Sequence, residues 1–353
     1  MSSAPRSVVE LRALASDLNK SLIFIDTNAA DRQRSFLQLA LLQQQELKAR
    51  HLHANPTDQE KNRYKDVIPY DDARVVLEGG RYINASEIWD DQSHSGAVAS
   101  CSPPYIACQG PLSNTSEDFW DMVVERQIED IVMLTGCVEN GREKCFPYYT
   151  DGATFGKHRV VCTKQSSLGG VEVRDLEIQT RVSTTAESSA DTSADSSADT
   201  GADKSARTRS HRVRHHQLMT WPDHGVPTCP EVLDPLLDVL YYNTKAGRTT
   251  VVHCSAGIGR SGVLIALSML IERIRRILSR DMANTMGHRN ENGNGNGGGP
   301  IGAEMAKDGD ERLCSFVDIV CCMRRQRAGM VQTQAQYSFC EDAGRRLMSM
   351  LSI

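Results

Sequence analysis

Basic charge is in short supply: 40 lysines and arginines face 45 aspartates and glutamates over 353 residues, a net charge of −5 with histidine neutral. No general positive field therefore exists to hold nucleic acid or an acidic membrane, and any anion must be recognised locally. Long apolar runs are missing too. The longest, Val263 to Ile271, is interrupted by Ser268 and is far too short to span a bilayer. There is no secretory leader and no myristoylation or prenylation pattern, so no membrane anchor is expected. The eleven cysteines include no Cys-x-x-Cys pair and no Cys/His cluster at zinc spacing. That predicts reduced thiols in a cytoplasmic setting, without a metal or cofactor, rather than a disulfide framework.

What is present centres on one stretch. Thr249 to Val252 is a β-branched run expected as a buried strand, and Val263 to Leu267 opens an apolar-periodic helix. Between them lies His253-Cys254-Ser255-Ala256-Gly257-Ile258-Gly259-Arg260-Ser261-Gly262. A small-residue loop at a helix N-terminus aims backbone N–H groups into one concavity, where the helix dipole adds positive potential. Such a loop suits an anion. A thiol there, beside a cation, has its pKa lowered and is thiolate near neutrality. Arg260 is suited to clamp two phosphate oxygens, and Cys254 to attack phosphorus in line, giving a cysteinyl-phosphate. Ser261 is placed to hydrogen-bond the thiolate as it leaves. The same glycines spell G-x-G-x-x-G, but the acidic residue a dinucleotide site needs about twenty positions on falls near Asp281, in low-complexity sequence. That reading would also leave Cys254 and Arg260 unexplained. A Walker A loop is excluded because no Lys-Ser/Thr pair follows the glycines.

Around this loop the periodicity predicts α/β layering. Two helical stretches occupy residues 1–50, the first marked by Val8, Val9, Leu11, Leu14 and Leu18, the second by Phe36 to Leu42. Lys61-Asn62-Arg63-Tyr64-Lys65-Asp66-Val67 is a polar surface loop. Strands follow at Arg74–Leu77, Arg81–Ala85 and Tyr105–Cys108, and Thr115 caps a helix carrying Phe119, Trp120, Met122 and Val123. Trp221-Pro222-Asp223-His224-Gly225-Val226-Pro227 is a stiffened loop whose glycine can hinge, and whose aspartate has no local basic partner except His224. Residues 183–210 repeat Ser-Ala-Asp units without a large apolar side chain, and a second low-complexity stretch, 280–309, is centred on Asn-Gly repeats. Both are expected as disordered surface inserts, because neither buries enough surface to offset its ordering entropy.

These motifs carry a family resemblance. From about Leu47 onward, inserts apart, the chain resembles a cysteine-dependent, tyrosine-specific protein phosphatase of the Cys-x5-Arg type. His253 to Ser261 matches the signature loop, Trp221-Pro222-Asp223 the mobile acid loop, and Lys61 to Val67 the phosphotyrosine-recognition loop. The resemblance implies one α/β catalytic domain, residues 47–353, with a central highly twisted mixed β-sheet flanked by helices, preceded by a helical extension, residues 1–46. It implies Asp223 as general acid and then base, Tyr64 stacking on the substrate ring, and Asp66 holding the peptide backbone with Val67 beside it. Ser255, Ala256, Gly257, Ile258 and Gly259 would cradle the phosphate. Gln332 and Gln336 would orient the hydrolytic water, while Glu139, Lys144 and Trp221 support the signature arginine and the acid loop. Phosphotyrosine proteins are the implied partners of a monomeric, non-receptor, redox-sensitive enzyme, and the low-complexity inserts point to a protozoan member. Two other readings stay open. A non-catalytic phosphotyrosine binder would ordinarily have lost Cys254, Arg260, Asp223 or Gln332. A phosphoinositide phosphatase would carry lysines where Ser255, Ala256 and Ile258 stand.

Overall fold

The computed structural model describes residues 29–53, 56–91, 103–182, 207–223, 225–289 and 315–351. Strands β1 (Arg74–Val76), β2 (Tyr82–Ile88), β3 (Tyr105–Cys108) and β4 (Asp130–Met133) come first. A small separate ribbon pairs β5 (Val138–Glu139) with β6 (Arg142–Glu143). Then come β7 (Thr154–Phe155), β8 (His158–Leu168), β9 (Val171–Val182), β10 (Arg207–Leu218) and β11 (Thr250–His253). Apart from the ribbon these form one nine-stranded sheet in the order β1-β2-β3-β11-β4-β10-β9-β8-β7. It is mixed: β3, β11, β4 and β10 run parallel, and the remaining neighbours are antiparallel.

Helices cover both faces, which is why the central strands read as continuous apolar runs rather than alternating ones. Every residue of β3, β4 and β11 is buried. Successive side chains still part to opposite faces. Val132 and Val252 join one core, packed by α1 (Ala29–Ala49), α3 (Asp234–Lys245), α4 (Arg260–Arg289), α5 (Phe316–Gln326) and α6 (Gln334–Leu351). Ile131, Met133 and Val251 join the other, under α2 (Ser116–Glu125) with Phe119, Trp120 and Tyr148. Loops leaving the carboxyl ends of β3, β4, β10 and β11 gather on one side, where open parallel sheets place their ligand crevice.

Four expectations are corrected. The first insert is shorter than 183–210, because β10 already begins at Arg207 and pairs with β9 as far as Val182. Arg207, Thr208, Arg209 and Ser210 carry no apolar signal, yet antiparallel ladder bonds need only the backbone. The second does not begin at 280, since α4 continues to Arg289; once nucleated by its buried half, a helix propagates through Met282, Ala283 and Met286 at little cost. The boundary at residues 46–47 also falls inside an element, for α1 runs through it and packs on α5 and α6. Thr115, finally, does not cap α2 with its side chain; its Oγ1 accepts the Leu112 amide at 2.8 Å instead. The remaining insert residues, 183–206 and 290–309, the first predicted helical stretch and His224 lie outside the described residues.

Candidate active site

The Cys254–Gly259 loop joins β11 to the first turn of α4, and two glycines explain why only this sequence makes the turn. Gly257 has φ +72°, and a Cβ there would sit 2.0 Å from the Cys108 carbonyl oxygen at the end of β3. A Cβ on Gly262 would lie 2.4 Å from the Val331 nitrogen. The loop is thereby pressed between a strand end and the segment leading into α6. Cys254 is 3% exposed, and its Sγ accepts the Gly257 N–H at 3.3 Å. Burial pushes this thiol up, but the Arg260 guanidinium, the Ser261 hydroxyl and amide and the Gly257 amide outweigh it, so its pKa lies below the ordinary value.

Arg260 is almost fully buried and held on several sides. Its Nη1 donates to Glu139 Oε1 at 2.7 Å and to the Trp221 carbonyl at 2.9 Å. Nη2 donates to Glu139 Oε2 at 3.1 Å, Asp223 Oδ1 at 3.2 Å and Thr135 Oγ1 at 3.3 Å. Burial opposes the charge of Glu139, yet Arg260, Thr135 and the Gly136 amide hold its carboxyl below the usual range. The second oxygen of Asp223 is ion-paired with Lys144. Sequence proximity offered Asp223 only His224; the fold supplies Lys144 from just beyond β6 and Arg260 from α4, tying the Asp223 loop to the loop that carries Cys254.

Tyr64 stands at the wall, its hydroxyl 2.9 Å from Ser255 Oγ, which in turn donates to the Lys144 carbonyl at 2.9 Å. Asp66 is exposed at the rim, and Asn84 Nδ2 fixes the Val67 carbonyl at 2.7 Å. Gln336 is 1% exposed and its Oε1 accepts the Gln332 and Thr333 amides at 3.0 and 3.3 Å, while Gln332 itself is exposed. A cleft of about 750 Å³ brings Tyr64, Asp66, Val67, Glu139, Lys144, Asp223, Cys254, Ser255, Ala256, Gly259, Arg260, Gln332 and Gln336 together. His253, Gly257, Ile258, Ser261 and Trp221 do not line it; they lie behind or beneath the loop.

This constellation matches a family model described as Protein-tyrosine phosphatase across residues 58–292 and 300–344. The chain belongs to the protein-tyrosine phosphatase family. It is 35% identical over 290 residues to Tyrosine-protein phosphatase 1 of Caenorhabditis elegans, covering 80% of this chain and 22% of that protein. To human Tyrosine-protein phosphatase non-receptor type 20 it is 32% identical over 298 residues, covering 81% and 54%. To Protein-tyrosine-phosphatase PTP1 of Arabidopsis thaliana it is 34% identical over 296 residues, covering 82% and 70%. The chain thus spans from about a fifth to about two thirds of these relatives' lengths. The solved catalytic domain of human Protein Tyrosine Phosphatase non-receptor Type 18 is similar at TM-score 0.64 and 27% identity, covering 90% of this chain and 96% of that one. A structure of PTPN18 with HER2 phosphopeptides gives TM-score 0.63 at 26% identity, covering 90% and 93%.

In this family member several supporting residues escaped the sequence reading. Arg63 donates from Nε to the Gly110 carbonyl at 3.0 Å and from Nη2 to the Pro111 carbonyl at 2.7 Å, fixing the recognition loop to the β3–α2 connection. Arg327, 1% exposed, donates to the Gly257 and Ala256 carbonyls at 3.0 Å each and to Asn84 Oδ1 at 2.7 Å. It therefore fixes two carbonyls of the signature loop, one of them that of Gly257, whose own amide meets the Cys254 sulfur. The only sequence signal was the arginine cluster 324–327. His253 is not a cleft residue. Its Nδ1 faces the Cys254 carbonyl at 3.1 Å, an obligate acceptor, so Nδ1 carries the proton and Nε2 accepts from the Tyr148 hydroxyl at 2.7 Å. The Tyr148 oxygen then accepts from His215 Nε2 at 3.0 Å. Burial keeps both imidazoles neutral, holding His253 down at about 4 and His215 well below its ordinary value.

Proposed function

We propose that this protein hydrolyses phosphotyrosine in proteins through a cysteinyl-phosphate intermediate. The observation that carries the reading is a buried thiol kept below its ordinary pKa by Arg260, at the floor of a cleft walled by Tyr64. The phosphoryl group enters above Cys254, and its oxygens take donors from Arg260 and the loop amides. Arg260 exchanges Asp223 for phosphate, and the carboxyl, released from Lys144 as well and taking a proton from solvent, turns to the phenolic oxygen. The Cys254 thiolate then attacks phosphorus, the P–O bond to the tyrosyl ring breaks, and the Asp223 proton passes to the leaving oxygen. In the second half Gln332 and Gln336 position a water. Asp223, now carboxylate, takes its proton, the P–S bond breaks, and Cys254 leaves as thiolate beside Ser261. No metal or cofactor enters. The cleft depth set by Tyr64 favours an aryl phosphate over the shorter phosphoserine, and Ser255, Ala256 and Ile258 offer none of the extra cations a polyphosphorylated inositol needs.

A panel of phosphotyrosyl, phosphoseryl and phosphoinositide substrates tests this. Turnover is expected for the first alone and is abolished in Cys254→Ser, which still binds the phosphotyrosyl peptide. Equal turnover of phosphoserine, or undiminished hydrolysis by Cys254→Ser, would falsify the reading.

A further inference from the structure

We propose, on the strength of the two-step hydrolysis above, that Arg324 is a positioning residue for the second step. It holds Val331 in a left-handed backbone conformation from which Gln332 reaches the cysteinyl-phosphate. Among the described residues only Gln127, Asn140 and Val331 combine a side chain with positive φ, at 52°, 51° and 56°. Gln127 follows the C-cap Arg126 of α2, and Asn140 opens the turn between β5 and β6. Left-handed residues are ordinary at both kinds of place. Val331 closes no helix and turns no hairpin, and a β-branched residue is an outlier in that region. Such a conformation persists only where the surroundings over-determine it.

Arg324 supplies that determination. It stands in the last turn of α5, 6% exposed, and donates from Nε to the Met330 carbonyl and from Nη2 to the Val331 carbonyl, each at 2.9 Å. These two oxygens belong to the peptide planes on either side of the Val331 Cα. A rigid planar fork that grips both fixes their relative orientation, which is to say φ and ψ of Val331. From the other side the Val331 amide donates to the Ile258 carbonyl at 2.9 Å, and the backbone of Gly262 stands hard against it. Among the described residues Arg324 pairs with no carboxylate; the Phe36 ring lies 5.6 Å from its guanidinium carbon. A buried cation without a counter-ion is costly. Both of the hydrogen bonds that offset the cost go to this one turn.

The turn decides where the Gln332 side chain emerges. Just past it, the Gln332 and Thr333 amides are tied to Gln336 Oε1. Gln332 Oε1 then lies 3.2 Å from where a Cβ on Gly259 would stand, beside the floor of the cleft. In the second step a water oxygen attacks phosphorus, the P–S bond breaks, Cys254 leaves as thiolate and Asp223 takes the proton. That step needs the Gln332 amide; formation of the cysteinyl-phosphate does not. Arg324 bonds to none of Cys254, Arg260 and Asp223, which carry the first step, and the carbonyls of Ala256 and Gly257 are held separately by Arg327. Losing the fork should therefore slow hydrolysis of the intermediate and spare its formation.

Rapid-mixing kinetics of the full chain with 4-nitrophenyl phosphate separate the two steps, because nitrophenolate leaves when the intermediate forms and phosphate only when it is hydrolysed. Arg324→Met keeps an apolar stem and removes the donors. It is expected to release a burst of about one nitrophenolate per enzyme, and then to turn over at least about tenfold more slowly than the unaltered chain. Adding Val331→Gly should recover most of that loss, because glycine takes positive φ without a clamp. A merely structural arginine predicts the opposite, since the second change deletes another buried side chain. Arg324→Lys keeps the charge but cannot fork to both carbonyls; it should show the same burst, and it stands in if the methionine variant does not fold. An undiminished kcat, a burst slowed as much as the steady state, or a defect deepened by Val331→Gly would each overturn the proposal. Gln332→Ala tells two failures apart. A burst there and none in the Arg324 variants removes the role of Arg324 alone; no burst in any of them removes the two-step reading and this inference with it.

Discussion

Burial by itself raises a thiol, and this chain shows it repeatedly: Cys108 and Cys322 are pushed up to about 12, and Cys145 and Cys340 are raised as well. Cys254 is buried too, at 3% exposure, yet its pKa falls below the ordinary 9.0. The difference lies in the positive neighbours and amides that only the strand–loop–helix junction gathers. Inactivation by iodoacetamide should therefore follow a thiolate titrating below pH 9.0, faster at neutral pH than for any other cysteine of the chain. In Ser261→Ala the apparent pKa of that titration should rise, because a neighbouring hydroxyl that lowers it is gone. Asp223 gives a second expectation at this scale. Asp223→Asn keeps the shape of the side chain but delivers no proton, and kcat for a phosphotyrosyl peptide should drop by roughly 10²–10⁴-fold. With a leaving group that departs as a stable anion, such as a nitrophenolate, the deficit should shrink.

Among the elements, the junction of β3, the signature loop and the segment before α6 leaves no room for a single added methyl. Gly262→Ala would place Cβ 2.4 Å from the Val331 nitrogen, and either α4 or the segment bearing Gln332 has to move. Steady-state kinetics should show kcat lowered by about 10²-fold, the scale on which misplaced catalytic groups fail, with the circular dichroism of the sheet unchanged. This junction also shows what the sequence made legible. Cys254 to Gly262 could be read as a strand–loop–helix junction because its parts are contiguous in the chain. The contact between Lys144 and the loop of Asp223 was legible only through the family resemblance, because the two residues stand 79 positions apart. Arg63 and Arg327 were opaque for the same reason. Each serves backbone carbonyls of a distant loop, and a carbonyl leaves no mark in an amino-acid sequence. β10 was cut short because its first four residues are held by ladder bonds rather than by apolar side chains.

For the whole molecule, the relay from His215 through Tyr148 to His253 ties stability to pH. His253 stays neutral in the fold down to about 4, whereas in the unfolded chain it takes up a proton near 6.5. Its contribution is complete above pH 6.5 and is lost as the pH falls from there towards 4, about 3 kcal/mol in all. His215 acts in the same direction. Urea midpoints measured from pH 7 to pH 5 should fall steadily, and His253→Gln should flatten the slope. Arg327 connects the molecule over a longer span. It reaches back 243 residues to Asn84 and 70 to the Gly257 carbonyl. Synthesis on the ribosome proceeds from the N-terminus at about 5–20 residues per second. Cys254 is therefore made well before the guanidinium that covers its loop. Until Arg327 emerges, the Ala256 and Gly257 carbonyls are solvated and free to turn, and the amides have no reason to converge on an anion. A polypeptide that stops short of Arg327 thus carries the Cys254 thiol without the guanidinium that braces its loop.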